Sequence, residues 1–164
     1  MPRPALVPAL VPALLVLGCA EPTPAADGPD AGMPGPDASM DVTELPPQGH
    51  AALTTWLAAG HHRAWACEPA PHPARPPGAH GTNRICSNAA LSSATGAYPV
   101  NAASVKELYD GAAIIGHAVG RKTAGGWYWY EVINGSVVAD SIGAGLCQGC
   151  HDDAPRDSVF TQVR

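Results

Sequence analysis

The sequence lacks an apolar run long enough to cross a bilayer, and its C-terminal two thirds lack an excess of charge. The apolar run from Ala5 to Gly18 falls short of the roughly 20 residues that a membrane-spanning helix needs. Residues 48–164 carry eight acidic and eight basic side chains, so the net charge of -5 comes from the acidic stretch 20–47. Without a basic excess, this part of the chain does not have the charge pattern of a nucleic-acid-binding protein.

Methionine and phenylalanine are also scarce. The three methionines are Met1, Met33 and Met40, and Phe160 is the single phenylalanine. Proline has the opposite distribution, because 11 of the 18 prolines fall within residues 1–47. The sequence therefore predicts an irregular N-terminal part, followed by one foldable domain over residues 48–164.

The N-terminus has the features of an export signal. Arg3 precedes the apolar run, which ends in Val16-Leu17-Gly18-Cys19 and resembles the bacterial lipobox. We expect residues 1–18 to be a lipoprotein signal peptide, Cys19 to be lipidated, and residues 19–47 to be a disordered Pro/Gly/Asp linker. Because alanine and not aspartate follows Cys19, the predicted location is the outer membrane, facing the periplasm. An ordinary cleaved signal peptide is the alternative.

Beyond the linker, apolar residues recur at helical spacing. Leu53, Trp56 and Leu57 predict a short amphipathic helix within residues 50–63. A proline-rich loop, residues 68–81, then lies between Cys67 and Cys86. In an oxidising compartment we expect these two cysteines to form a disulfide that closes the loop.

Three short β-prone runs follow, over residues 112–122, 127–133 and 136–141. Gly125-Gly126 and Asn134-Gly135 separate them, and Asn-Gly between two such runs is a strong hairpin signal. The predicted fold class is α+β and β-rich, with an antiparallel meander sheet and a few short helices. Period-two geometry divides the middle strand into one face with Trp127, Trp129 and Glu131 and another with Tyr128, Tyr130 and Val132.

The sequence Cys147-Gln148-Gly149-Cys150-His151 is a CxxCH motif, which attaches c-type haem. Two thiols add to the two vinyl groups, and the histidine supplies an axial ligand to the iron. A CxxC disulfide and a zinc site are the alternatives. Since no methionine follows Met40, the domain cannot provide the His/Met ligation of common electron carriers.

Several segments together resemble the cytochrome P-460 family, which includes the c-prime-beta cytochromes. They are HGTNRICSN, YPVNAASVKELYD, IIGHAVGRK, GWYWYEV, CQGCH and DSVFTQ, within residues 65–162. The resemblance implies a β-rich domain, commonly a homodimer, with covalent haem c on Cys147 and Cys150. It also implies that His151 binds a five-coordinate iron with an open distal side.

The resemblance implies one of two activities. In one branch of the family a lysine is linked to the haem and a distal acid accepts protons during hydroxylamine oxidation. In the other branch the haem binds nitric oxide or carbon monoxide under a phenylalanine cap, and the sequence leaves open whether this protein is an enzyme. The distal candidates are Lys106, Lys122, Glu131 and Asp140, each with an ordinary solvent-facing role as its alternative.

The sequence leaves a second function open, a six-coordinate bis-histidine electron-transfer cytochrome without catalysis. Its sixth ligand would come from one of five histidines, which are His61, His62, His72, His80 and His117. Under either function, Asp152, Asp153 and Asp157 are expected to form a solvated acidic patch that orients a redox partner protein.

Overall fold

The computed structural model describes residues 45–164. The predicted signal peptide, the lipidated Cys19 and linker residues 19–44 lie outside the described residues. Of the last linker residues, Pro46 is buried, and its carbonyl oxygen accepts a hydrogen bond from Nη1 of Arg121 at 2.8 Å. The packed region therefore begins slightly before Gln48.

The described chain contains six strands, three short α-helices and one 3₁₀ helix. The helices are α1 (His50–Ala59), a 3₁₀ helix (His61–Ala64), α2 (Ala89–Ser92) and α3 (Gly145–His151). The strands are β1 (Ala66–Cys67), β2 (Thr82–Ser87), β3 (Ala103–Asp110), β4 (Ala113–Thr123), β5 (Gly126–Ile133) and β6 (Ser136–Ile142). None of the helices within residues 45–164 is long and apolar enough to span a membrane.

All six strands form one antiparallel sheet in chain order, which confirms the predicted meander. The β5–β6 hairpin turns at Asn134 and Gly135, both with positive φ (48° and 78°), as a tight hairpin turn requires. The structure adds β1, β2 and β3 to the strands that the sequence predicts.

One face of the sheet packs on α1. Leu53, Trp56 and Leu57 are buried there, as their spacing predicts. They contact the side chains of Tyr128 and Tyr130 on β5. The helix is shorter than the predicted range of residues 50–63, because Gly60 adopts a left-handed φ of 75° and the chain continues as a 3₁₀ turn.

The other face of the sheet packs against α3 and the C-terminal segment. Trp127 and Trp129 stack there with ring centres 5.4 Å apart, so the predicted division of β5 into two faces is confirmed. Trp129 also covers Gly120 on β4, where a Cβ would lie 2.8 Å from the indole ring. Glycine at this position lets the indole lie against the backbone.

Cys67 and Cys86 form a disulfide, as predicted. They are direct neighbours across the β1–β2 pair, where the strands bring their Cα atoms within 4.0 Å. The bond closes the proline-rich loop at its base.

Candidate functional site

The CxxCH motif lies on α3, which packs on the Trp127 and Trp129 face of the sheet. Cys147 is half-buried against the tryptophan cluster, Cys150 is exposed, and neither is in a disulfide. Residues three and four apart share one side of a helix, so Cys147, Cys150 and His151 project in related directions. Neither thiol is therefore committed to another covalent bond.

His151 is held in an orientation suited to an axial ligand. Its Nδ1 lies 2.7 Å from the carbonyl oxygen of Ser158, so Nδ1–H donates and the lone pair is on Nε2. The ring lies 4.3 Å from that of Trp129 and 5.5 Å from that of Phe160, centre to centre. Burial lowers the pKa of His151, which favours the neutral imidazole that binds a metal. His151 and the residues around it are therefore suited to axial ligation of a haem iron through Nε2.

The segment that carries Ser158 is anchored by Asp157. This carboxylate accepts hydrogen bonds from Lys122 Nζ (2.6 Å), the indole N–H of Trp127 (3.2 Å) and the backbone N–H of Tyr98 (2.9 Å). Burial opposes ionisation, but these donors lower the pKa of Asp157. The prediction that Asp157 belongs to a solvated acidic patch is therefore wrong, because its carboxylate is hydrogen-bonded to donors within the protein.

Beside His151 the sheet, the proline-rich loop and the C-terminal segment enclose two adjoining cavities. The larger has a volume of about 290 Å³ and lies under the loop, and the smaller, of about 50 Å³, borders His151. Both are lined by Ile85, Lys106, Phe160 and Thr161. The single phenylalanine of the chain therefore lies at the candidate site although it follows the CxxCH motif in sequence.

The two lysines occupy different environments. Lys106 on β3 lines both cavities and is partly buried, and burial lowers the pKa of its amine. Lys122 is ion-paired with Asp157, and its Nζ lies 5.3 Å from the ring centre of Trp127. Of the two lysines, only Lys106 lines the candidate cavities. Lys106 is therefore not an ordinary solvent-facing lysine, which was the alternative to a distal role.

The two candidate acids lie on opposite faces of the sheet. Glu131 is buried on the His151 side, where one carboxylate oxygen lies 3.4 Å from Nδ1 of His80. Asp140 instead accepts a hydrogen bond from the backbone N–H of His50 at 2.8 Å and another from the hydroxyl of Tyr128. Asp140 therefore tethers the start of α1 and lies away from the cavities.

One histidine lies close to His151. The ring centres of His80 and His151 are 6.4 Å apart. His62 and His117 lie on the α1 side of the sheet, and His61 stacks near Trp56 on the same side. His72 lines the larger cavity together with His80. The structure therefore places two of the five candidate histidines on the cavity side and three on the α1 side.

The proline-rich loop is held over the larger cavity by Glu68. Its carboxylate accepts hydrogen bonds from the backbone N–H of Ile85 and from His72, both at 2.8 Å, and pairs with Arg75 at 2.7 Å. Burial opposes ionisation, but the donors lower the pKa of Glu68. Together with the disulfide, this carboxylate fixes the loop at both ends.

Comparison with known proteins gave no match to a family model, to a curated protein or to a solved structure.

Two features of the site were not predicted. The contact between His80 and Glu131 joins the proline-rich loop to β5, 51 residues away, and no local pattern encodes it. The Ser158 carbonyl is a backbone group, which residue-type reasoning cannot single out. The signal that could have found Ser158 was the segment DSVFTQ, which is part of the resemblance to the cytochrome P-460 family.

Proposed function

We propose that this protein is an exported, lipid-anchored, mono-haem c-type cytochrome of the P-460 type. Its haem would bind or oxidise a small nitrogenous or diatomic molecule such as hydroxylamine or nitric oxide. The observation that carries the proposal is the state of His151, a neutral imidazole whose Nδ1–H is fixed by the Ser158 carbonyl beside a cavity. The CxxCH spacing on α3 adds two free thiols next to it.

Each residue has a defined part in this proposal. Cys147 and Cys150 would form thioether bonds, and Nε2 of His151 would be the axial ligand. When bound, the haem supplies an iron with one free coordination position and the capacity for one-electron transfer. Phe160 and Trp129 pack on the imidazole ring and hold its orientation.

Two polar groups on the cavity face of the sheet suit the catalytic branch. Lys106 and Glu131 occupy one row across the sheet, on either side of Ala118 in β4. Burial lowers the pKa of Lys106, which increases its fraction of neutral, nucleophilic amine. Glu131 is buried on the same face, with one carboxylate oxygen 3.4 Å from Nδ1 of His80, and His80 lines the larger cavity. Glu131 would therefore be the acid that accepts a proton in this branch.

A peptide-mass experiment tests the catalytic branch. Proteolysis of the purified protein is expected to yield the α3 haem peptide joined to the β3 peptide that contains Lys106. A Lys106→Met variant should yield the α3 haem peptide alone, and a Lys122→Met variant should behave as the wild type. If the wild-type haem peptide carries no third link, the function is restricted to ligand binding.

A carbon monoxide titration tests the open coordination position. The Soret band of the ferrous protein is expected to shift when the gas is added. An unchanged low-spin spectrum would contradict the proposal.

One observation favours the alternative, bis-histidine electron transfer. The 6.4 Å between the ring centres of His80 and His151 is close to the roughly 6 Å expected for two imidazoles that share one metal ion. In that case His80→Ala would convert a carbon-monoxide-insensitive protein into a sensitive one. His61→Ala, on the other face of the sheet, is the matched control and should leave the spectrum unchanged.

A lipid anchor and a redox partner complete the proposal. A Cys19→Ser variant is expected to appear in the soluble periplasmic fraction while the wild type stays with the membrane. The exposed Asp152 and Asp153 on the surface next to α3 suit a basic redox partner, and the resemblance implies a homodimer.

A further inference from the structure

Three metal-ligating side chains meet on the α1 side of the sheet, on the face opposite His151. They are His62 from the 3₁₀ helix, Glu107 from β3 and His117 from β4. Glu107 and His117 are paired in register across β3 and β4, so their side chains leave the sheet on the same face. One ligand atom of each residue lies within 4.8 Å of the other two.

Each imidazole of this cluster has a buried nitrogen without a hydrogen-bond partner. The atoms are Nδ1 of His62 and Nε2 of His117. Both atoms are buried, and the side chains of His62 and Glu107 are 0% and 1% exposed. Because an unpaired buried polar atom is destabilising, two in one cluster call for an explanation.

The carboxylate of Glu107 is held at one oxygen and less firmly at the other. Oε2 accepts hydrogen bonds from Tyr109 at 2.7 Å and Arg84 at 3.4 Å. Oε1 faces Nε2 of His62 at 3.1 Å and Nε of Arg63 at 3.2 Å. The Arg63 side chain is 57% exposed, so it can leave Oε1 without disturbing the core.

The charge states match those of a cation site. Burial opposes ionisation of Glu107, but hydrogen bonds from Tyr109, His62 and Arg63 lower its pKa to about 2. Burial lowers the pKa of His117 to about 4, so its imidazole is neutral and has a free lone pair. A carboxylate and two neutral imidazoles are therefore available together.

We propose that His62, Glu107 and His117 bind a first-row divalent cation, zinc in particular. Two imidazoles and one carboxylate are a common zinc ligand set, with water as a fourth ligand. Zinc–ligand bonds of roughly 2.0–2.1 Å put ligand atoms about 3.4 Å apart, so the loosest pair closes by at most about 1.5 Å through side-chain rotation. The cation would replace both Arg63 and the Nε2–H of His62 at Oε1, and the His62 proton would move to Nδ1. Tyr109 and Arg84 would keep the carboxylate oriented.

Zinc binding is tested on the full-length, haem-loaded protein in detergent by equilibrium dialysis and elemental analysis. The wild type is expected to bind one zinc ion per chain more than a His117→Gln variant, whose affinity at this site should fall at least about 100-fold. His61→Gln is the matched control, because His61 lies beside the cluster but outside it, and its zinc content should equal that of the wild type. Iron content and far-UV circular dichroism verify that each variant retains haem and fold.

Arg63→Gln provides an independent test, since this exposed side chain is not required for packing. Removal of the competing guanidinium should tighten zinc binding at least about tenfold. Equal zinc content in the wild type and His117→Gln would overturn the proposal. An unchanged affinity in Arg63→Gln would overturn it as well, and this outcome decides the question even if His117→Gln fails to fold.

Discussion

Replacing Asp157 with asparagine is expected to loosen the segment that orients His151. One carboxylate oxygen accepts from both Lys122 and Trp127, and the other accepts from the backbone N–H of Tyr98. Asparagine has a single oxygen, so its NH₂ group must face a donor on one side or the other. Either orientation leaves at least one buried N–H without a partner.

The magnitude follows from those contacts. An orphaned N–H costs roughly 1–2 kcal/mol, and loss of the charge opposite Lys122 adds roughly 0.5–1 kcal/mol because the pair is only partly buried. The Asp157→Asn variant should therefore lose about 2–3 kcal/mol of unfolding free energy, which lowers the melting temperature by roughly 8–12 °C for a domain of this size. Since Ser158 is the next residue, the proposed ligation of haem by His151 should weaken as well.

Urea unfolding followed by far-UV circular dichroism measures the loss. Asp153→Asn is the control, because it removes the same charge from an exposed neighbouring position and should stay within about 0.5 kcal/mol of the wild type. The reasoning would be refuted if the two variants were equally stable.

The pH dependence of this difference has a definite sign. The folded-state pKa of Asp157 lies below its ordinary value of 3.8, so the carboxylate stabilises the fold above about pH 4. That contribution is lost as the pH falls through the folded-state pKa. The gap between wild type and Asp157→Asn should be constant between about pH 5 and 8 and should shrink below pH 4.

Three further changes have defined outcomes. Gly120→Ala places a Cβ against the Trp129 ring and should cost about 1–3 kcal/mol in thermal unfolding. It should also shift the spectrum of the proposed haem, and an unchanged spectrum would show that this indole does not position His151. Glu68→Gln should destabilise the proline-rich loop mainly above pH 4, because the lowered pKa of Glu68 means that its carboxylate stabilises the loop only when it is ionised. Equal rates of proteolysis of the loop in the wild type and in Glu68→Gln would contradict this. Replacing both Cys67 and Cys86 by serine should cost about 2–3 kcal/mol of unfolding free energy in urea. The cost is less than the full entropy of loop closure, because prolines already restrict the loop in the unfolded chain. An unchanged urea midpoint would show that the disulfide does not stabilise the fold.

The pattern-based predictions succeeded where a local rule applies. Asn134-Gly135 defined the β5–β6 hairpin because the tight turn demands positive φ at both positions. Helical spacing identified Leu53, Trp56 and Leu57 because a helix buries one stripe. Strand β3 was not predicted, because Lys106 and Glu107 interrupt its apolar pattern. Lys106 lines the cavities on one face of the sheet, and Glu107 is buried on the other face by contacts with His62 and Arg84 from other elements.

The sequence by itself determined the candidate haem ligands Cys147, Cys150 and His151, the disulfide and the antiparallel meander. Each depends on spacing within a short segment or on the count of cysteines, which the chain carries without reference to its fold. Only the tertiary structure decided which lysine, acid and histidine lie near His151. Strand register brought Lys106 and Glu131 to one face of the sheet and left Asp140 on the other, because register sets which distant strand residues share a face. The packing of the proline-rich loop placed His80 against Glu131.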